Sequence, residues 1–383
     1  MSASRPLTAE ASLDDVDALV AADAGGMLRA VASGAAQVRE AAGRAQEAGL
    51  HRLAEDGQPR AVIVCGMGGS AIAGDVLSAV AGMTCPVPVT THRGHGLPAW
   101  VGAADLVIAV SCTGTTEETL SALQEAVRRG CRLLVVGAAG SPLEDLGARG
   151  RAVFVPVAQG RQPRASVWSL SVPLVLAGAA LRLLPCSAQD VEEAAGVLEA
   201  VAVRCRPDAD VDSNPAKALA LELSGSLPVV WGTSPLGGPA AYRFACQLNE
   251  NACLPAVWGV LPEVGHNQVV ALDGEWASSG GGPDDFFRDR TDDGDRRLHV
   301  VLLREEREHP RVARRAEVAV ELAAERGVPV DVLRAEGTGA LARVASLIGL
   351  TDFTSTYLAL HAGADPTPVD AIAEMKRRTA SDR

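Results

Sequence analysis

Residues Arg60 to Leu77 read Arg-Ala-Val-Ile-Val-Cys-Gly-Met-Gly-Gly-Ser-Ala-Ile-Ala-Gly-Asp-Val-Leu, and the reading of this stretch decides the fold. Ala61 to Cys65 is a short β-branched apolar run, the pattern of a strand buried on both faces. Gly66, Gly68 and Gly69 let the backbone turn tightly and approach a ligand with no Cβ in the way. From Ser70 the apolar spacing becomes helical, which predicts a helix starting there. Free N–H groups and the helix dipole converge at such a start and suit a phosphate. A ligand-free strand-to-helix turn is the plain alternative, and one glycine-rich loop does not choose between them.

Asp105 to Thr119 repeats the device. A strand, Leu106 to Val110, leads into Ser111-Cys112-Thr113-Gly114-Thr115-Thr116 and a helix opening with Glu117-Glu118. Capping explains one hydroxyl but hardly the three at Ser111, Thr113 and Thr116. Two such loops on adjacent parallel strands gather their donors in one crevice at the carboxyl ends, where open α/β sheets bind ligands.

Composition sets the bounds. The 383 residues suffice for two domains, and with 48% hydrophobic but only 3% aromatic residues, Ala, Val and Leu must do the packing. The net charge of −12 and the lack of a basic block argue against nucleic acid, so any anion must be held by local donors. The eight cysteines are scattered without a Cys-x-x-Cys pair and read as reduced thiols of a cytoplasmic protein, with neither disulfides nor a zinc site. No signal peptide is visible, and no apolar run reaches the roughly 20 residues of a membrane span.

Taken in order, the spacing predicts two helices before the sheet, within an N-terminal unit 1–45. The glycine-loop unit follows, then strands Val87 to Thr91, Leu106 to Val110, Cys131 to Val136 and Ala152 to Val155, with a turn at Gly140-Ser141-Pro142. The apolar helix Leu170 to Leu184 closes a first domain, 46–186. A polar linker helix occupies 187–215. The second domain, 216–383, carries strand Pro228 to Trp231, a helix Pro239 to Asn249, and three further strands alternating with helices Arg311 to Glu325 and Gly339 to His361. Residues 277–297, rich in Gly, Asp and Arg, read as a mobile surface insertion. The fold class is α/β, with two parallel sheets flanked by helices and sharing a cleft.

Five motifs occur in fixed order: Gly66-Met67-Gly68-Gly69-Ser70, the hydroxyl loop 111–116, Gln162-Pro163-Arg164-Ala165-Ser166, Asn249-Glu250-Asn251-Ala252 and Gly265-His266-Asn267. In this the chain resembles the bifunctional phosphoglucose/phosphomannose isomerases, built from two SIS (sugar isomerase) domains. The resemblance runs from Asp23 to Lys376, leaving out 277–297. It implies a dimeric aldose–ketose isomerase acting on glucose 6-phosphate, mannose 6-phosphate and fructose 6-phosphate, with no metal or nucleotide cofactor.

Such a reaction needs a phosphate anchor, a group to open the ring, a base for the carbon-bound proton and positive charge for the enediolate. By resemblance, Gly68, Gly69, Ser70, Ser111, Thr113 and Thr116 hold the phosphate. Glu250, among uncharged neighbours, is the expected base, since partial burial raises a carboxyl toward its working range. Arg164, oriented by a Pro-rich connection, offers a fixed planar charge to the enediolate. His266 suits proton transfer in ring opening, and the family places this histidine in the partner subunit's site, hence a likeness to a homodimer with His266 contributed across the interface. Lys376 matches a terminal-helix lysine that reaches the substrate in the family.

The chain also departs from that pattern. Cys112, Thr113 and Thr115 stand where the family's loop has Tyr, Ser and Asn, and Cys253 stands where a Lys commonly follows Asn-Glu-Asn-Ala. These departures bear on turnover more than on binding, which keeps open a sugar-phosphate sensor that binds without catalysis. An NAD-dependent dehydrogenase fails, because no acidic residue is placed for a ribose after the glycine loop.

Overall fold

The structure is a computed structural model and describes residues 13–277 and 297–380. Three short helices come first: α1 (Val16–Ala22), α2 (Met27–Ala32) and α3 (Gly34–Glu47). The sequence predicted two here; a break at Ser33, beyond the one at Gly25-Gly26, makes the third.

The first sheet follows, with β1 (Val62–Cys65), α4 (Gly69–Ala81), β2 (Val89–His92), β3 (Leu106–Ser111), α5 (Glu117–Arg128), β4 (Arg132–Ala138), α6 (Pro142–Arg149) and β5 (Val153–Val157). All pairings are parallel, in the order β2-β1-β3-β4-β5. α6 corrects the turn expected at 140–142: Ser141 caps it by accepting from Glu144 N, and Pro142 occupies its first position, where a missing N–H costs nothing. The inner strands β1 and β3 are apolar because both faces are covered, whereas the edge strand β2 reads Val-Thr-Thr-His and is only partly buried. Val62, Val64, Leu106, Ile108 and Val110 enter the main core, while Ile63, Cys65, Val107 and Ala109 pack the opposite face.

α7 (Val167–Ala180) and α8 (Ala188–Arg204) lead on, and α9 (Pro215–Leu223) adds a helix between the expected linker and the first strand of the second domain. α8 is no free linker, for it buries Val191, Ala194, Ala195, Leu198 and Val201. The second sheet is built by β6 (Leu227–Gly232), α10 (Gly237–Ala252), β7 (Val257–Val260), β8 (Leu298–Arg304), α11 (Pro310–Glu325) and β9 (Val330–Arg334). Its order is β7-β6-β8-β9, again parallel, so the inner strands of the two halves follow one topology. The stretch read as an insertion at 277–297 lies, apart from its two end residues, outside the described residues.

α12 (Ala340–His361) is buried nearly all round and packs against α8, α9 and α10. Its hydroxyls survive there by bonding to carbonyls three or four residues back, as Thr351 does to Leu347 O at 2.9 Å and Thr356 to Asp352 O at 2.9 Å. α13 (Asp370–Ala380) ends the described chain, exposed at all but one of the residues up to Thr379. Among the described residues no helix is long and apolar enough to cross a membrane.

One charged pair sits inside this apolar frame. Arg243 of α10 donates from Nε to Asp352 Oδ1 at 2.9 Å and from Nη2 to Asp352 Oδ2 at 2.8 Å, with side-chain exposures of 2% and 5%. Removing one partner strands the other charge in low dielectric. Asp352→Ala is therefore expected to lower the urea unfolding free energy by about 3–5 kcal/mol, whereas the double variant Arg243→Met/Asp352→Leu recovers most of that loss. A single variant as stable as the parent would show the pair to be hydrated.

Candidate active site

The crevice lies where the first sheet's strand order reverses, between β1 and β3. Cys65 pairs with Ala109, so the loops after Cys65 and Ser111 leave the sheet side by side. No side chain caps the first turn of α4 or of α5, although Asp15, Ser141, Ser187 and Asn214 cap helices elsewhere. Two helix starts thus lack a capping side chain, although at α4 the Ser70 and Ala71 N–H groups already donate to the Met67 and Gly68 carbonyls at 3.0 Å. Gly68, at φ 51° and ψ −129°, takes a backbone that a side chain would resist.

The hydroxyls divide their work. Ser111 is 1% exposed; its Oγ accepts from Gly114 N at 3.0 Å and shares a proton with Thr116 Oγ1 at 2.9 Å. Thr113 Oγ1 lies 3.0 Å from Thr115 Oγ1 and is exposed. Ser111 therefore shapes the loop, and Thr113 and Thr116 are the more open hydroxyls. α6 buttresses them: Gly114, at φ +70°, lies so close to Ser141 that a Cβ would meet its Oγ at 2.1 Å.

Across the crevice runs the connection between β5 and α7. A Cβ on Gly69 would lie 3.9 Å from Pro163 O, and Ser166 Oγ closes the connection by donating to the Gln162 carbonyl at 2.8 Å. Arg164 projects from this connection toward the second half. It donates to Asn251 Oδ1 and to the Thr367 carbonyl, and its Nε lies 3.6 Å from Glu250 Oε2. Arg164 and Glu250, far apart in sequence, meet beside the glycine and hydroxyl loops.

Glu250 lies within the last turn of α10, not beyond a helix ending at Asn249 as the sequence suggested. Its polar neighbour Asn251 misled the boundary: Asn251 is 1% exposed and bonded to Arg164 and, at 3.0 Å, to Ser355 Oγ. Burial pushes the Glu250 carboxyl above its ordinary value of 4.5, and the charges of Arg164 and Arg243 pull it partway back. Burial also lowers Arg164, opposed by Glu250 and Asp365.

Three contributors escaped the sequence reading. Arg243 Nη2 donates to the Arg164 carbonyl at 2.8 Å and so fixes the connection that carries Arg164. Its signal was phase, since it precedes Glu250 by two helical turns on one face. Asp352 was visible as an acid in an otherwise apolar helix. Asn251 belongs to a quoted motif, but its partners are far off in sequence. One turn further along the same face, Cys246 and Tyr242 continue from Glu250 to Arg93, whose guanidinium stands 5.3 Å from the Tyr242 ring and pairs with Asp75.

Two expected residues stay outside the cluster. His266 is exposed in a short 3-10 turn and lies 3.1 Å, Nε2 to Nη1, from Arg315 of α11. Lys376 is exposed on α13, beyond the 365–367 strap that Arg164 grips. Neither is among the groups that shift Glu250 or Arg164. Among the described residues no three His, Cys, Asp or Glu side chains gather to hold a metal, and all eight cysteines are free.

Residues 212–379 match the family described as the bacterial phospho-glucose isomerase C-terminal SIS domain. The bifunctional phosphoglucose/phosphomannose isomerase of Caldicellulosiruptor bescii is 32% identical over 319 residues, covering 83% of this chain and 89% of that one. The protein of the same name from Aquifex aeolicus is 31% identical over 85% of this chain and 92% of its own. Among solved structures, a glucose-6-phosphate isomerase from Chlamydia trachomatis superposes with TM-score 0.68 at 12% identity, covering 97% of this chain and 84% of that one. The C-terminal domain of a Francisella tularensis glucosamine-fructose-6-phosphate aminotransferase gives 0.61 at 14%, over 90% and 98%. At those identities the superpositions speak for the fold alone.

The electrostatics predict an order of titrations. Carbon-13 NMR of the carboxyls is expected to show Glu250 titrating above the usual 4.5. In Arg164→Gln the titration moves higher still, because the nearest charge favouring the carboxylate is gone. A downward shift would mean that Arg164 acts on Glu250 mainly through burial.

Proposed function

The chain belongs to the bifunctional phosphoglucose/phosphomannose isomerases, and from that premise we propose that it interconverts glucose 6-phosphate and mannose 6-phosphate with fructose 6-phosphate through an enediolate. The observation that carries this reading is the half-buried Glu250 carboxyl, its proton affinity raised by burial, held 3.6 Å from the Arg164 guanidinium beside two helix starts without side-chain caps.

Each residue takes a part. The backbone of Gly68, Gly69 and Ser70 and the hydroxyl loop of Ser111, Thr113 and Thr116 receive the phosphate, which fixes the sugar's carbon end relative to α10. Glu250 removes the proton from the carbon beside the carbonyl and returns it to the neighbouring carbon. Its raised affinity for protons makes it a stronger base than an exposed carboxylate. Arg164 stands where negative charge grows on the enediolate oxygens, in a place shielded from water, and Asn251 and the Thr367 carbonyl keep it aimed. Lys376 follows the strap that Arg164 already holds, which supports its arrival at the sugar from α13.

His266 opens the sugar ring in the site of a second copy. Its own chain supports this indirectly: His266 packs against α11 on the outer face of the second sheet, while Glu250 sits on α10 in the shared core. The connection that carries His266 also exposes Val270 and Trp276, and the edge strand β7 exposes Val257 and Trp258. Such an apolar surface suits a two-fold contact, and an isologous homodimer completes both sites at once.

A coupled assay of mannose 6-phosphate and glucose 6-phosphate conversion to fructose 6-phosphate tests the reading, with turnover of both expected. Glu250→Gln keeps the shape, loses the proton acceptor, and is expected to reduce kcat at least about 10²-fold while sparing ligand binding. Sugar-phosphate binding by the parent without turnover would make it a sensor instead.

The dimer reading has its own test. Glu250→Gln and His266→Ala, each inactive alone, are co-expressed and the mixed dimers isolated. Each mixed dimer holds one site with both residues intact, so the isolated mixed dimers approach about half of the parent activity, and the unsorted population, half of it mixed, about a quarter. Mixed dimers no more active than either variant would put His266 in its own chain's site or outside catalysis.

A further inference from the structure

A duplicated topology supplies two switch points, and only the first has been given work. The second lies between β6 and β8, at the loop 232–237 and the loop 305–308. By strand order β6 answers to β1 and β8 to β3, so these loops correspond to Gly66–Ser70 and 112–116. The first pair contains no acidic residue, whereas the second carries Glu305, Glu306 and Glu308.

Glu308 does not point to solvent. Its carboxylate, with a side chain 3% exposed, receives a hydrogen bond from Thr233 Oγ1 of the β6 loop. The backbone N–H of Glu305 donates to it at 3.2 Å, and Arg304 at the end of β8 donates from Nη2 at 2.7 Å and from Nε at 3.1 Å. A hydroxyl, a loop amide and a guanidinium converging on two oxygens at the carboxyl ends of parallel strands are what an anion ligand would be offered. Glu308 directly precedes the α11 cap residue His309, as Thr115 precedes the α5 cap residue Thr116. The side chain therefore enters the crevice from the position that, in the first half, belongs to the hydroxyl loop.

We propose that the second crevice is an anion cradle filled by the chain's own Glu308 carboxylate, so that each chain takes one phosphate-bearing ligand and not two. Burial alone would raise the Glu308 carboxyl, but the Arg304 and Thr233 hydrogen bonds outweigh it and hold the group below its usual value. The crevice favours the charged form. Its stabilisation is thus present above the unfolded value of 4.5 and fades as pH falls through the lower folded one.

Removing the plug should leave a vacancy for a small anion. Glu308→Ala is expected to lower Tm by several degrees, and sodium acetate to restore it in a saturable way that sodium chloride of equal ionic strength does not reproduce. The parent protein should show no such acetate dependence. Calorimetry with inorganic phosphate should find one site per chain in the parent and a second, weaker one in Glu308→Ala. Glu308→Gln keeps the shape without the charge; it should be less stable than the parent at pH 7 and gain no acetate site. Because none of these readouts uses turnover, they stand apart from the isomerase assay. Equal acetate and chloride effects in Glu308→Ala, acetate stabilising parent and variant alike, or a Glu308→Gln variant as stable as the parent at pH 7 would overturn the proposal.

Discussion

The buried pair of Arg243 and Asp352 is the constraint on which the rest of the site depends. Charges of this kind gain little net stability over apolar residues of the same volume, because desolvation offsets most of their attraction. What they add is direction. Arg243 spends Nε and Nη2 on both Asp352 oxygens and uses Nη2 again on the Arg164 carbonyl. Three parts of the chain are tied in that one arrangement: α10, the central α12, and the connection that carries Arg164. Since Glu250 lies two turns along α10 from Arg243, the pair fixes both the Glu250 carboxyl and the guanidinium facing it. An apolar replacement would hold the helices together but leave that carbonyl, and so the aim of Arg164, unfixed.

The electrostatics of the crevice are local because the whole molecule works against it. A net charge of −12 repels a sugar phosphate at long range. Attraction must come from groups that act within a few ångströms, and helix starts left without side-chain caps are of that kind. Glu250 shows the same economy. Burial favours its neutral form, while Arg164 and Arg243 favour the ionised one, which leaves the carboxyl able both to take and to return a proton.

The strands were legible because a sheet covered on both faces must be written as continuous apolar runs, and β1, β3, β4 and β8 are. The glycine and hydroxyl loops were legible as interruptions of those runs. Two misreadings share a cause, since each took polar or turn-forming residues as the end of order. Ser141-Pro142 was read as a turn, though Ser before Pro is also how a helix starts. Glu250-Asn251 was read as lying beyond a helix ending at Asn249, though both continue it and Asn251 is buried with partners more than eighty residues away. Periodicity reports burial against apolar surroundings and is silent about a polar residue satisfied by distant partners. His266 and Lys376 mark a different boundary. One chain leaves both exposed, so their assignment rests on the likeness of the sequence and on a surface that a second copy would cover.

α10 explains why the two halves could not keep the same chemistry. Its 16 residues span about 24 Å, from the second crevice at its N-terminal loop to the first-half site at its C-terminal turn. The dipole of such a helix favours an anion at the first end and a cation at the second. Glu308 stands beside the loop that starts α10, and Arg164 beside the turn that ends it. Had a mobile ligand served the N-terminal end, the helix that carries Glu250 would feel a different field according to whether that ligand was bound. A carboxylate built into the chain keeps the field at that end constant. The field that α10 carries to Glu250 is then set by the chain itself at that end.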